Sequence, residues 1–91
     1  MNYSYDEIKE IVKNVVIETN DVDMKTDELH EDTNFINDLS FDSFNFIKLV
    51  VALEEKLDAI FTMDDLDINT MTTLEQLFDT AYGIYKNAHN Q

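Results

Sequence analysis

A chain of 91 residues with no proline and a single glycine, Gly83, has almost none of the punctuation that the tight turns of a small sheet protein require. Helices joined by polar loops follow, and the apolar spacing says where they lie. The first is predicted over about 4–18: Ser4 and Glu7 form a capping box, Tyr3 and Ile8 are placed as a hydrophobic staple, and Ile8, Ile11, Val12 and Val15 recur at helical spacing. A connection over about 20–42 is too long to be structureless in a compact domain, and Val22, Met24, Leu29, Phe35, Ile36 and Leu39 are expected to pin it to the core as an ordered loop. A second helix over about 43–58 puts Phe46, Leu49, Val50, Leu53, Leu57 and Ile60 on one face. A short helix over about 63–68 uses Leu66 and Ile68. The last, over about 73–87, opens at a second capping box, Thr72 with Glu75, and carries the stripe Leu74, Leu77, Phe78, Ala81, Tyr82, Tyr85. Residues beyond Asn87 are expected to fray. The predicted architecture is all-α, a four-helix bundle of three longer helices and one short one in a single domain spanning 1–91. Its core is expected at Phe46, Val50, Leu53, Leu57, Phe61, Leu74, Phe78 and Tyr82.

Six basic residues against twenty acidic ones give a formal charge of -14, which repels nucleic acid and anionic membranes and favours proteins with basic docking patches. Without cysteine there is no disulfide framework and no thiolate metal site, so any thiol chemistry must arrive on a prosthetic group. One domain of this size is too small to wall off a deep active site, which argues against an independent enzyme. The opening residues Met1 to Asp6 lack the basic start and apolar run of a signal peptide, and no stretch is long and apolar enough to span a bilayer; a monomer in the cytoplasm is the expectation.

The run Phe35-Ile36-Asn37-Asp38-Leu39-Ser40-Phe41-Asp42-Ser43-Phe44 leads from the loop into the second helix and puts Ser43 at the helix tip. There Asp42 can act as the N-cap, and the positive end of the helix dipole favours an anion attached beside it. Together with Leu49-Val50-Val51-Ala52-Leu53-Glu54-Glu55 after it and Met71-Thr72-Thr73-Leu74 further on, this run resembles the attachment region of the acyl carrier and peptidyl carrier proteins, and the resemblance extends over nearly the whole chain. It implies that Ser43 carries 4'-phosphopantetheine, delivered from coenzyme A by a phosphopantetheinyl transferase. It further implies that a ligase or synthase loads the arm with an acyl or aminoacyl thioester for fatty acid, polyketide or nonribosomal peptide biosynthesis. The protein itself would then be non-catalytic. The sequence departs from the family pattern at Ser40, where a glycine is usual, at Phe44, where leucine is usual, and at Thr62, where proline is frequent.

On the second helix Phe44, Lys48, Val51 and Glu55 share the face opposite the core, with Glu54 beside them, and this set reads as a partner-binding surface. Asp65, Asp67 and Asn69 imitate the start of a calcium loop, but Thr70 stands where the turn demands glycine and Gln76 where a bidentate carboxylate is needed, so no metal site is expected. His30 and His89 fall in a polar loop and the tail and are expected to be solvated, with no base or oxyanion hole for Ser43 as a nucleophile. The alternative reading is an unmodified acidic interaction module of the nucleic-acid-mimic type, which needs no serine at 43.

A net charge of -14 makes the folded chain repel itself, so raising the ionic strength from low to moderate, or adding millimolar magnesium, should raise the melting temperature. A melting temperature that falls over the same range, followed by circular dichroism, would mean that specific ion pairs outweigh the net repulsion.

Overall fold

A computed structural model describes residues 3–20, 23–61 and 71–89, which form a small all-α bundle. Its helices are α1 (Tyr5–Asn20), α2 (Ser43–Leu57) and α3 (Leu74–Ala88), with a 3-10 turn at Thr26–Glu28 in the long connection. The short helix expected over 63–68 and the calcium-loop imitation lie outside the described residues, as does Val22. The first helix is the shared element, packing against both α2 and α3. Its Ile8, Val12, Val15 and Val16 are fully or almost fully buried, which requires apolar partners on two sides.

The start of α1 is a reciprocal cap. The Ser4 amide donates to Glu7 Oε1 at 2.9 Å and the Glu7 amide to Ser4 Oγ at 3.2 Å, while Asp6 and Glu7 complement the positive helix end. Two aromatic contacts then fasten this end to α3. The Tyr3 amide donates to the Tyr85 hydroxyl at 3.1 Å, their rings lying 5.4 Å apart, and Tyr5 meets Tyr82 edge-on at 5.4 Å. The Tyr5 hydroxyl donates to Asp79 Oδ1 at 2.6 Å, and burial followed by that carboxylate raises its pKa.

The start of α3 departs from expectation by one residue. Thr73, not Thr72, is the N-cap, and the side chain that receives the amides of Thr73 (3.1 Å) and Thr72 (2.6 Å) belongs to Gln76, not Glu75. The loop supplies the reason. Thr33 and Glu31 carbonyls accept from the Leu74 and Glu75 amides at 3.0 and 2.9 Å, and the Phe35 amide donates to the Thr72 carbonyl at 2.9 Å. Helix-start donors that a local cap would satisfy are thus taken by a distant strand-like contact, Asn34 opposite Thr73. The Glu75 side chain lies against Glu31, which raises its pKa, whereas the hydrogen-bonded Lys9, at 3.1 Å, lowers that of Glu31.

Three core expectations change. Tyr82 is half-buried and Tyr85 takes its place inside, on the stripe of Leu74, Leu77, Phe78 and Ala81. Ile36 is 53% exposed, leaving Leu29 and Phe35 as the buried anchors of the loop, with Met24 and Leu39 packed at its edge. Ile60 is 82% exposed because α2 ends before it: Asp58 turns left-handed at φ 49°, which breaks the helical phase and buries Ala59 and Phe61 instead. Leu53 is wholly enclosed by the bundle, and Phe35 wholly enclosed by what it joins. Leu53→Ala should lose about 2–5 kcal/mol and Phe35→Ala about 3–5 kcal/mol in urea unfolding. A loss below about 1 kcal/mol at Phe35 would mean that the loop rests on the core without belonging to it.

Candidate functional site

The residues that lead into α2 form a compact hydrogen-bonded turn. The Asn34 side-chain oxygen accepts from the amides of Ile36 and Asn37 at 2.9 and 2.8 Å, its carbonyl accepts from Asp38 and Leu39, and Asp38 Oδ2 accepts from the Asn34 amide at 2.7 Å. Ser40 then reverses the chain with φ 58°, allowing the Phe41 amide to reach the Phe35 carbonyl at 2.9 Å. Phe35 closes the arrangement: its ring lies 5.6 Å from that of Phe41 and 5.2 Å from that of Phe46. Phe41, two residues before Ser43, and Phe46, three residues after it, are therefore held by one buried side chain.

Between them Asp42 and Asn45 make a second reciprocal cap, the Asn45 amide donating to Asp42 Oδ1 at 2.9 Å and the Asp42 amide to Asn45 Oδ1 at 3.0 Å. Ser43 is the first residue of α2 and is exposed. The Phe46 amide is taken by the Asp42 carbonyl, but no acceptor among the described residues takes those of Ser43 and Phe44. An exposed hydroxyl, two open amides and the positive end of a 15-residue helix together suit a phosphate ester, the dipole favouring the anion by about 0.3–1 kcal/mol. The residues present thus fit a phosphopantetheine arm.

The outward face of α2 is apolar for a surface. Phe44 is 66% exposed, Val51 50% and Ile47 47%, and Lys48 and Glu55 lie among them within an arc of about 100°. The Lys48 ammonium sits 5.1 Å from the Phe44 ring centroid, a contact worth about 0.5–1 kcal/mol at an exposed site. Ile47 was legible in the sequence as the residue three beyond Phe44, yet reading the face by its widest spacing passes over it. Glu54 behaves differently from Glu55: it is half-buried, and its carboxylate accepts from the Phe61 amide at 3.0 Å, tying down the chain beyond α2.

Neither histidine belongs to this site. His30 lines a surface groove with Lys9, Lys13, Glu31 and Glu75. His89 is not a solvated tail residue: its Nε2 lies 3.0 and 3.1 Å from the carbonyls of Leu57 and Asp58, so this nitrogen carries the proton and caps the end of α2 from the end of α3. That places it at the opposite end of a helix about 20 Å long from Ser43. Among the described residues no cluster of His, Asp or Glu could hold a metal ion, and no helix is long and apolar enough to cross a membrane.

Residues 10–80 match the family described as "Phosphopantetheine attachment site". A protein of Sulfurovum sp. (strain NBC37-1) named "Acyl carrier protein" is 47% identical over 47 residues, covering 52% of this chain and 60% of that protein. The chain thus spans less than two thirds of the length of this curated relative.

The left-handed Ser40 occupies the position where the sequence pattern favours glycine, and the φ of 58° explains the preference. Ser40→Gly should raise stability by about 0.5–1 kcal/mol, the relief of strain exceeding the added entropy of the unfolded chain, and Ser40→Val should lower it. Urea midpoints at constant m-value give the comparison, and a Ser40→Gly protein less stable than wild type would assign the serine hydroxyl a contact that outweighs the backbone strain.

Proposed function

Since this chain belongs to the phosphopantetheine attachment site family of acyl and peptidyl carrier proteins, whose prosthetic group is 4'-phosphopantetheine, we propose that it is a discrete carrier bearing that group on Ser43. The observation that carries this reading is the exposed Ser43 hydroxyl at the first position of α2, inside the matched stretch and beside two open amides. The bound arm supplies a thiol that holds acyl or aminoacyl groups as thioesters. The protein's own part is positional. Asp42 and Asn45 fix the start of α2, Phe35 fixes Asp42 and Ser43 against the core through Phe41 and Phe46, and the open amides receive a phosphate.

The protein catalyses nothing in this reading. A phosphopantetheinyl transferase modifies it, an acyl or aminoacyl ligase or a synthase loads it, and other enzymes of fatty acid, polyketide or nonribosomal peptide biosynthesis use the cargo in the cytoplasm. Tethering raises the effective concentration of the cargo at each docked enzyme, so weak docking through Phe44, Lys48, Val51 and Glu55, with Glu54 at the margin, is sufficient. The charge of -14 draws partners with basic patches toward the chain as a whole. An unmodified acidic mimic would bind by charge alone and be indifferent to Ser43.

Incubation with coenzyme A and a phosphopantetheinyl transferase of broad range should add one phosphopantetheine per chain by mass spectrometry. Ser43→Ala should abolish the addition and leave the melting curve within the range of a surface substitution, about 0.5 kcal/mol. An alanine variant labelled as well as wild type would place the arm elsewhere, and a wild-type chain that is never labelled would favour the unmodified module.

A further inference from the structure

Lys48 is a cation in the middle of an apolar patch on a strongly acidic protein. Its neighbours one turn away on α2 are Phe44, Asn45, Val51 and Ala52, none of them a carboxylate, and among the described residues it makes no ion pair. Lys9 and Lys13, by contrast, are paired with Glu31 and Glu10. What holds Lys48 is the Phe44 ring at 5.1 Å, so the ammonium rests on the residue next to Ser43 and is not spread into solvent toward the distant acids. Glu55, the nearest carboxylate on the same stripe, stands about 10 Å further along the helix, roughly one screening length away.

A partner that covers Phe44, Ile47 and Val51 must also enclose Lys48 and strip its water. An ammonium enclosed without an anion is costly, and a basic side chain set against it is worse. We propose that Lys48 is the specificity-determining contact of the α2 face, and that it selects enzymes whose docking surface sets a carboxylate beside an apolar hollow for Phe44. Basic groups of the same enzyme meet Glu55 and the acidic remainder of the chain. The long-range field therefore attracts basic partners in general, while Lys48 penalises at close range those whose patch is basic throughout. This rests on the carrier reading of Ser43, and the test separates the two.

The probe is a phosphopantetheinyl transferase of broad range with a basic docking surface, used as it stands and as a set of variants in which each docking Lys or Arg is changed to Glu. Transfer from coenzyme A is measured as kcat/KM at low and at moderate salt for the wild-type apo-protein, Lys48→Glu, Lys48→Met and Lys48→Arg, with melting curves to confirm the fold. With the unaltered transferase, Lys48→Glu should raise kcat/KM about fivefold or more at low salt, Lys48→Met should fall between, and Lys48→Arg should match wild type. One acidic transferase variant should reverse the order, favouring wild type over Lys48→Glu by a similar factor, and both differences should shrink with salt. If Lys48→Glu and Lys48→Met stay within about twofold of wild type against every transferase form, the selectivity role is overturned while the carrier reading stands. Absence of any transfer to the wild-type chain would instead sink the carrier reading, and this inference with it.

Discussion

The packing of Phe35 against Phe41 and Phe46 is the contact on which the site depends. A helix tip can present a serine in almost any protein, but its direction is only as fixed as the turn that feeds it. Here the turn belongs to a connection of more than twenty residues that would otherwise carry a large closure entropy. Burying one ring between the residue before the Asp42–Ser43 pair and the buried face of the first turn of α2 makes that loop part of the core. The same residue donates its amide to the Thr72 carbonyl, so the entrance to α3 is fastened by the backbone of the side chain that fastens the entrance to α2. The starts of α2 and α3 are thus held together by one residue.

Features decided by neighbours in sequence were legible, and those decided by neighbours in space were not. The Ser4–Glu7 cap needs only a three-residue spacing, and the structure contains it. The start of α3 offered the same kind of pattern at Thr72 and Glu75, but carbonyls of Thr33 and Glu31, about forty residues earlier, claimed the amides and moved the cap to Gln76. Ile60 continued the buried stripe of α2 on paper; nothing in its spacing announces that Asp58 turns left-handed and ends the helix. His89 and Glu54 are a related pair. Their positions in sequence suggest only solvated polar side chains, but both spend their polar groups on backbone at the far end of α2, which only the folded chain brings to them. At the site the legible part was the Asp42 cap and the placement of Ser43, because a helix start is local.

Ser40 shows how a departure from a family pattern can be absorbed. The backbone there is left-handed whatever the side chain, since the Phe41 amide must return to the Phe35 carbonyl for the rings to meet. Glycine adopts this conformation freely, and serine does so against about 1–2 kcal/mol. A marginally stable domain tolerates such strain only where neighbouring contacts over-determine the geometry. Asn34 and Asp38 provide that, with five hydrogen bonds within the turn.

The two faces of α2 differ in character. Phe46, Leu49, Val50, Leu53 and Leu57 are buried and hold the bundle, and Phe44, Ile47 and Val51 keep about half or more of their surface in water, where it adds little to the stability of the free chain. A sequence selected for stability alone would make that outer stripe polar. The polar residues it does contain bear this out: Lys48 is drawn onto an aromatic ring instead of a carboxylate, and Glu55 has no hydrogen-bonded partner among the described residues. The helix that carries Ser43 therefore keeps on its outer face apolar groups that the core does not need, as the proposed docking role requires. The buried residues that hold the bundle are turned away from this outer stripe, so in the proposed carrier role stability and docking can be altered independently.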